Sequence, residues 1–124
     1  MKTYQEVEKM IDENDIKGID DVLSTWDSVV TEENSHYINS WMDHACRKGN
    51  VEVVRAFMIK GYTPTEHNAN IAFNSNKLDM LAFLKFHQIL PEKVRCGTHA
   101  IGYQHINEHV WSWMMKQNLI EYVD

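Results

Sequence analysis

The apolar positions recur at steps of three and four rather than two. Tyr4, Val7, Met10 and Ile11 form a first stripe, and Ile16, Ile19, Val22, Leu23, Trp26, Val29 and Val30 a second. Tyr37, Ile38, Trp41, Met42, Ala45 and Cys46 form a third, and Val51, Val54, Phe57 and Met58 a fourth. Ile71 and Ala72 mark a fifth, Leu78, Leu81 and Leu84 a sixth, and Val94, Ala100 and Ile101 a seventh. Ile106, Val110, Trp113 and Met114 close the series as the eighth. Such spacing puts one apolar face on a helix, and no segment sustains the alternation of a strand. The polar breaks are short: 31–35, 49–50, 61–63, 75–76, 88–90 and 102–104. Helices joined so tightly must lie antiparallel to their neighbours. Pro64 and Pro91 are expected in first turns of helices. Thr63 is expected to cap the helix after it, with Glu66 closing a capping box, and Thr3 with Glu6 repeats the pattern more weakly.

The stretch ACRKGNVEVVRAFMIKGY, residues 45–62, can be slid along the chain. At a shift of 27, Ala45 falls on Ala72 and Val51-Glu52-Val53-Val54 on Leu78-Asp79-Met80-Leu81. A further shift of 28 brings Ala72 onto Ala100 and Leu78-Asp79 onto Ile106-Asn107. Upstream, Ile19-Asp20-Asp21-Val22 matches Val51-Glu52-Val53-Val54 at a shift of 32. The unit is a helix, a tight turn and a second helix, repeated about four times, and each unit has apolar faces that only a stacked neighbour can bury. The expected units are 3–31, 35–61, 63–88 and 90–117, followed by a C-terminal cap at 118–124, all in one domain spanning 1–124.

Ala45-Cys46, the turn Gly49-Asn50, Val53-Val54, Phe57-Met58 and the closing Gly61 resemble an ankyrin repeat. The resemblance is good over 40–61, fair over 68–88 and weak elsewhere. The family's Thr-Pro-Leu-His box reads Ser40-Trp41-Met42-Asp43 here, and the spacing of 27–28 is shorter than the family's period of about 33. The resemblance therefore implies an all-α, ankyrin-like solenoid of about four antiparallel helix-turn-helix pairs with shortened or absent β-hairpins, of the degenerate kind common in viruses and bacteriophages. It further implies a non-catalytic protein-protein interaction module, in that style an inhibitor or adaptor of a host protein. In such stacks the first helices line the binding face. Here the outward positions are His36, Asn39, Asp43 and Arg47, then Glu66, Asn70 and Asn74, then Thr98.

Charge narrows the partner. The net charge of −6 gives no attraction to a phosphate backbone, so the expected partner is another protein and not nucleic acid. No apolar run approaches the ~20 residues of a membrane helix. The start, MKTYQEVEKMIDEND, is polar and acid-rich, unlike a signal or transit peptide. Two cysteines make no disulfide framework, so a cytoplasmic setting is expected, the host's if the protein is viral.

Chemistry offers two alternatives to the binding module. Cys96, His99, His105 and His109 give a Cys-x2-His pair followed by a His-x3-His pair, the latter putting both imidazoles on one helix face, one turn apart, which suits zinc. A small metal-binding or catalytic protein would follow, although the intervening gap is not a zinc-finger spacing and no cofactor is expected. Seven histidines could serve as acid or base, but none has a nucleophile with a supporting pattern. Cys46 stands beside Arg47 and Lys48, yet its place in the apolar stripe predicts a buried, inert thiol. Asp20-Asp21 reads as solvated helix surface and Glu32-Glu33 as a loop. No phosphate-binding or nucleophile-elbow motif is present, so an enzyme is not expected. The other alternative is self-association. Trp111 and Met115 point away from the face made by Val110, Trp113 and Met114. Either the tail Leu119-Ile120-Glu121-Tyr122-Val123 folds back over them as a cap, the preferred reading, or they form an anchor for a partner or for a homodimer through the last helix.

Overall fold

The structure, a computed structural model, describes residues 4–26, 32–97 and 103–123. It is all-α apart from one short pair of strands. The helices are α1 (Tyr4–Asp12), α2 (Ile16–Trp26), α3 (Glu32–Lys48), α4 (Val51–Ile59), α5 (Glu66–Asn74), α6 (Leu78–Phe86) and α7 (Glu108–Lys116). The strands are β1 (Val94–Cys96) and β2 (Ile120–Tyr122).

Turns of two or three residues fold α1 on α2, α3 on α4 and α5 on α6. Each turn has one residue in the left-handed region: Asn14 (φ 56°), Gly49 (φ 75°) and Asn76 (φ 58°). The bonds are alike at all three: Gly49 N–H reaches the Cys46 carbonyl at 3.3 Å and Asn50 N–H the Ala45 carbonyl at 3.0 Å, matched by Asn14 and Asp15 on Ile11 and Met10, and by Asn76 and Lys77 on Phe73 and Ala72. This double bond closes the last turn of a helix and needs a residue that tolerates positive φ. Gly61, Gln88 and Asn118 end α4, α6 and α7 the same way.

The pairs stack in two layers. Helices α1, α3 and α5 pack side by side, as do α2, α4 and α6, and α7 packs on α6. The core runs between the layers, through Ile11, Ile19, Leu23, Trp41, Cys46, Val54, Phe57, Ala72, Leu81, Leu84, Val110 and Met114. Polar side chains of the turns and first layer join the pairs. Asn50 Nδ2 donates to the Ile11 carbonyl. Asn76 Nδ2 donates to the His105 carbonyl at 2.8 Å, and its Oδ1 accepts from Asn107 N–H at 2.7 Å. His44 Nε2 lies 2.8 Å from Asp12 Oδ1.

Several expectations need correction. The break placed at 31–35 is helical from Glu32 onward, so Glu32-Glu33 is not a loop. The cap of α5 is Thr65 rather than Thr63, and Asn68 rather than Glu66 closes its capping box. Thr65 sits at the position whose hydroxyl and N–H both meet the third helical residue, whereas Thr63 lies two residues upstream, before Pro64. Pro91 precedes a strand, not a helix, and Val94 belongs to β1 rather than to a seventh helical stripe. The turn geometry confirms the shift of 27, from Gly49 to Asn76. Upstream, however, the corresponding residues are Asn14 and Gly49, 35 apart, and downstream Gln88 and Asn118, 30 apart, rather than 32 and 28. The capping turns set the register, and β1 lies within the longer downstream spacing. Thr3, Val29, Val30, Ala100 and Ile101 lie outside the described residues.

Candidate binding surface

On the first layer, α3 presents His36, Asn39 and Arg47 to solvent, and α5 presents Glu66 and Asn74. Two of the other expected contact residues are occupied within the fold. Asp43 Oδ1 accepts from Asn68 Nδ2 at 2.5 Å, and its Oδ2 lies 3.4 Å from His67 Nε2, so Asp43 ties α3 to the first turn of α5. Asn70 Oδ1 accepts from Glu92 N–H at 2.6 Å and pins the segment leading into β1. Asn39 lines a small depression with Ile38, Met42, Tyr62, Thr63 and Asn68. Asn70 and Asn74 line a larger cleft, about 380 Å³, whose far wall is Glu92, Lys93, Val94 and Arg95 with Tyr103 at its end. Thr98 lies outside the described residues.

The tail does fold back. Val94 N–H donates to the Leu119 carbonyl at 2.7 Å and Val123 N–H to the Cys96 carbonyl at 2.8 Å, so β2 runs parallel to β1. Trp111 is half-buried against Phe73 and Tyr103, with ring centroids at 6.5 and 5.8 Å, and its Nε1–H donates to the Tyr122 hydroxyl at 3.3 Å. Met115 is 48% exposed. The tail therefore reaches Trp111 and leaves Met115 in water.

The structure separates the proposed zinc ligands. Helix α7 begins at Glu108 with Asn107 as its cap, so His105 precedes the helix and cannot share a face with His109. The Asn107 side chain accepts from Val110 N–H at 2.9 Å, which stops the helix from extending back to His105. Cys96 is buried in β1, while His105 and His109 are exposed, and His99 lies outside the described residues. Among the described residues no three His, Cys, Asp or Glu side chains gather closely enough to hold a metal ion, which removes the metal-binding alternative. Cys46 is buried as expected. Burial, and after it the nearby Asp43 carboxylate, push its thiol up from 9.0 to about 12, so it is no nucleophile at neutral pH.

The most exposed large apolar side chains were not singled out by the stripes. Ile59 is 75% exposed and Phe86 82%. They are the last residues of α4 and α6, 27 positions apart, and so equivalent in successive pairs. Arg55 of α4 lies over the Phe83 ring of α6 at 5.5 Å, which aligns the two helices side by side. One turn further on, Ile59 and Phe86 close the same edge. The His87 ring stands edge-on between Phe83 and Phe86, with centroids at 4.7 and 5.2 Å. The signal was present in the sequence: an apolar residue one or two positions after the buried stripe, recurring at the repeat interval.

No protein-family model matches the chain, and no curated protein or solved structure shows significant similarity to it. No described helix is long and apolar enough to cross a membrane.

Proposed function

We propose that the protein is a non-catalytic protein-binding module, its stacked pairs forming an ankyrin-like solenoid without β-hairpin fingers, as the resemblance of 40–88 implies. The observation that carries this reading is the exposed pair Ile59 and Phe86 at equivalent positions of neighbouring helices. A soluble domain that leaves a phenylalanine almost wholly in water forgoes roughly 2–3 kcal/mol that burial would return. Two such side chains framed by Phe83, His87 and Arg55 have the makings of an interface anchor. The polar first-layer positions His36, Asn39, Arg47 and Glu66 form the second face, suited to hydrogen bonding with a partner that wraps the stack.

The test is affinity capture from cells of the source or its host, followed by calorimetric titration of the captured protein. Ile59→Glu with Phe86→Glu alters the apolar edge, and His36→Ala with Asn39→Ala and Arg47→Ala alters the polar face. Neither set touches Asp43 or Asn70, whose bonds hold the fold. Loss of binding by at least tenfold in the first set is expected. Equal binding by the first set and loss in the second moves the interface to the first layer. Equal binding by both, or no saturable partner, overturns the reading.

A further inference from the structure

The two-stranded sheet ends in an open edge, and that edge is complementary to itself. In the parallel ladder Val94 N–H meets Leu119 O, and Cys96 O meets Val123 N–H, with Arg95 opposite Glu121. This register turns the main-chain groups of Glu121 toward β1 and those of Ile120 and Tyr122 away from it. The outward N–H and C=O groups of Ile120 and Tyr122 have no partner among the described residues. Leu119–Val123 contains no proline, lysine or bulge to block pairing, and its one charged side chain, Glu121, is matched by Arg95 and Lys93 of the same copy. Tyr122 is 48% exposed and Val123 similarly so.

We propose that this edge pairs with the same edge of a second copy of the chain, antiparallel, about a two-fold axis through Glu121. This goes beyond the protein-binding reading and involves different residues. The two outward-facing residues are symmetric about Glu121, so Ile120 of each copy meets Tyr122 of the other and exchanges both main-chain hydrogen bonds. All four donors and acceptors on each side are satisfied with no register gap, and the contact closes on itself as a two-fold interface does. The facing side chains are also matched: each Ile120 stands opposite a Tyr122, a β-branched and aromatic pair of the kind that stabilises antiparallel strands. The two Glu121 residues meet at the axis as a non-hydrogen-bonded pair. Two like charges there would repel, but each is neutralised within its own copy. Arg95 Nε lies 3.1 Å and Lys93 Nζ 3.8 Å from Glu121 Oε2. The result is a continuous four-stranded sheet, β1-β2-β2-β1.

Sedimentation equilibrium of the full chain tests the pairing. The wild type is expected to be a dimer at tens of micromolar. Tyr122→Pro removes an outward N–H and none of the β1–β2 bonds, and is expected to weaken dimerisation at least tenfold while far-UV circular dichroism is retained. Glu121→Cys supplies an independent readout. At a non-hydrogen-bonded pair the two Cα atoms lie about 4.5 Å apart, within disulfide reach. Mild oxidation is expected to link Glu121→Cys into a covalent dimer and to leave Arg95→Cys, one strand further from the axis, monomeric under denaturing electrophoresis. A wild type that is monomeric throughout, a folded Tyr122→Pro that dimerises normally, or equal cross-linking of the two cysteine variants overturns the proposal.

Discussion

Replacing Asn68 by alanine removes three bonds from the joint between α3 and α5. Asn68 is 5% exposed and is the buried polar residue of the described core. Its Oδ1 accepts from Thr65 N–H at 2.7 Å and from the Thr65 hydroxyl at 3.2 Å, and its Nδ2 donates to Asp43 Oδ1 at 2.5 Å. Loss of the capping acceptor costs about 1 kcal/mol. The bond to a carboxylate is worth about 1–2 kcal/mol here, at the lower part of the charge-assisted range because the Asp43 side chain keeps 28% of its surface in water. Together the loss is about 2–3 kcal/mol, or roughly 10 °C in Tm for a chain of this length. Asn68→Asp keeps the acceptor for Thr65 but sets one carboxylate against another, so at neutral pH it is expected to be no better than alanine. Urea unfolding measures both. A double-mutant cycle with Asp43→Ala isolates the cross-helix bond, with an expected coupling of about 1 kcal/mol. A loss for Asn68→Ala below about 0.5 kcal/mol, the range of ordinary surface changes, or a coupling near zero would refute the reasoning.

Asn76→Gly separates backbone from side-chain effects. Glycine suits φ 58° better than asparagine, yet the change strips the bonds to His105 and Asn107, so a net loss of about 1–2 kcal/mol is expected on urea unfolding. The raised pKa of Cys46 gives a pH signature. In the unfolded chain the thiol ionises near 9.0, but in the native state only near 12, so its contribution is complete below pH 9 and is lost as pH climbs toward 12. Cys46→Ala is expected to flatten that alkaline slope in stability measured from pH 8 to 11, and an unchanged slope would place its cause elsewhere. Ile59→Thr with Phe86→Ser is expected to leave stability within about 0.5 kcal/mol and to reduce binding of a hydrophobic fluorescent dye, because both side chains are solvent-exposed.

The helix pairs were legible because two signals coincide in each: an apolar stripe at helical spacing and a turn residue that accepts positive φ. Where only one signal is present, the sequence leaves the register open. Ile19-Asp20-Asp21-Val22 resembles Val51-Glu52-Val53-Val54 as a string, but Asn14, the residue that turns the chain, sets the register three positions away from it. Val-Arg-Cys and Ile-Glu-Tyr are too short to show alternation, and each is a strand only because the other lies beside it. The polar face suffered the opposite fault. Asp43 and Asn70 follow the outward spacing of their helices, but spacing alone does not reveal that a neighbouring helix or loop arrives to use them. Ile59 and Phe86 fall off the apolar stripes, and helical spacing marks the core without marking apolar positions outside it.

The asparagine latches at the turns determine how the molecule comes apart. A helix pair in this stack cannot open alone, since Asn50 holds a carbonyl of the preceding pair, Asn68 in the first turn of α5 holds Asp43 of α3, and Asn76 holds both a carbonyl and an amide of the segment that follows. Opening the middle breaks latches on two sides, whereas opening an end breaks them on one. Denaturation therefore advances inward as a front from the ends, and amide protection is graded along the chain, greatest where α3 and α4 are held by both neighbours.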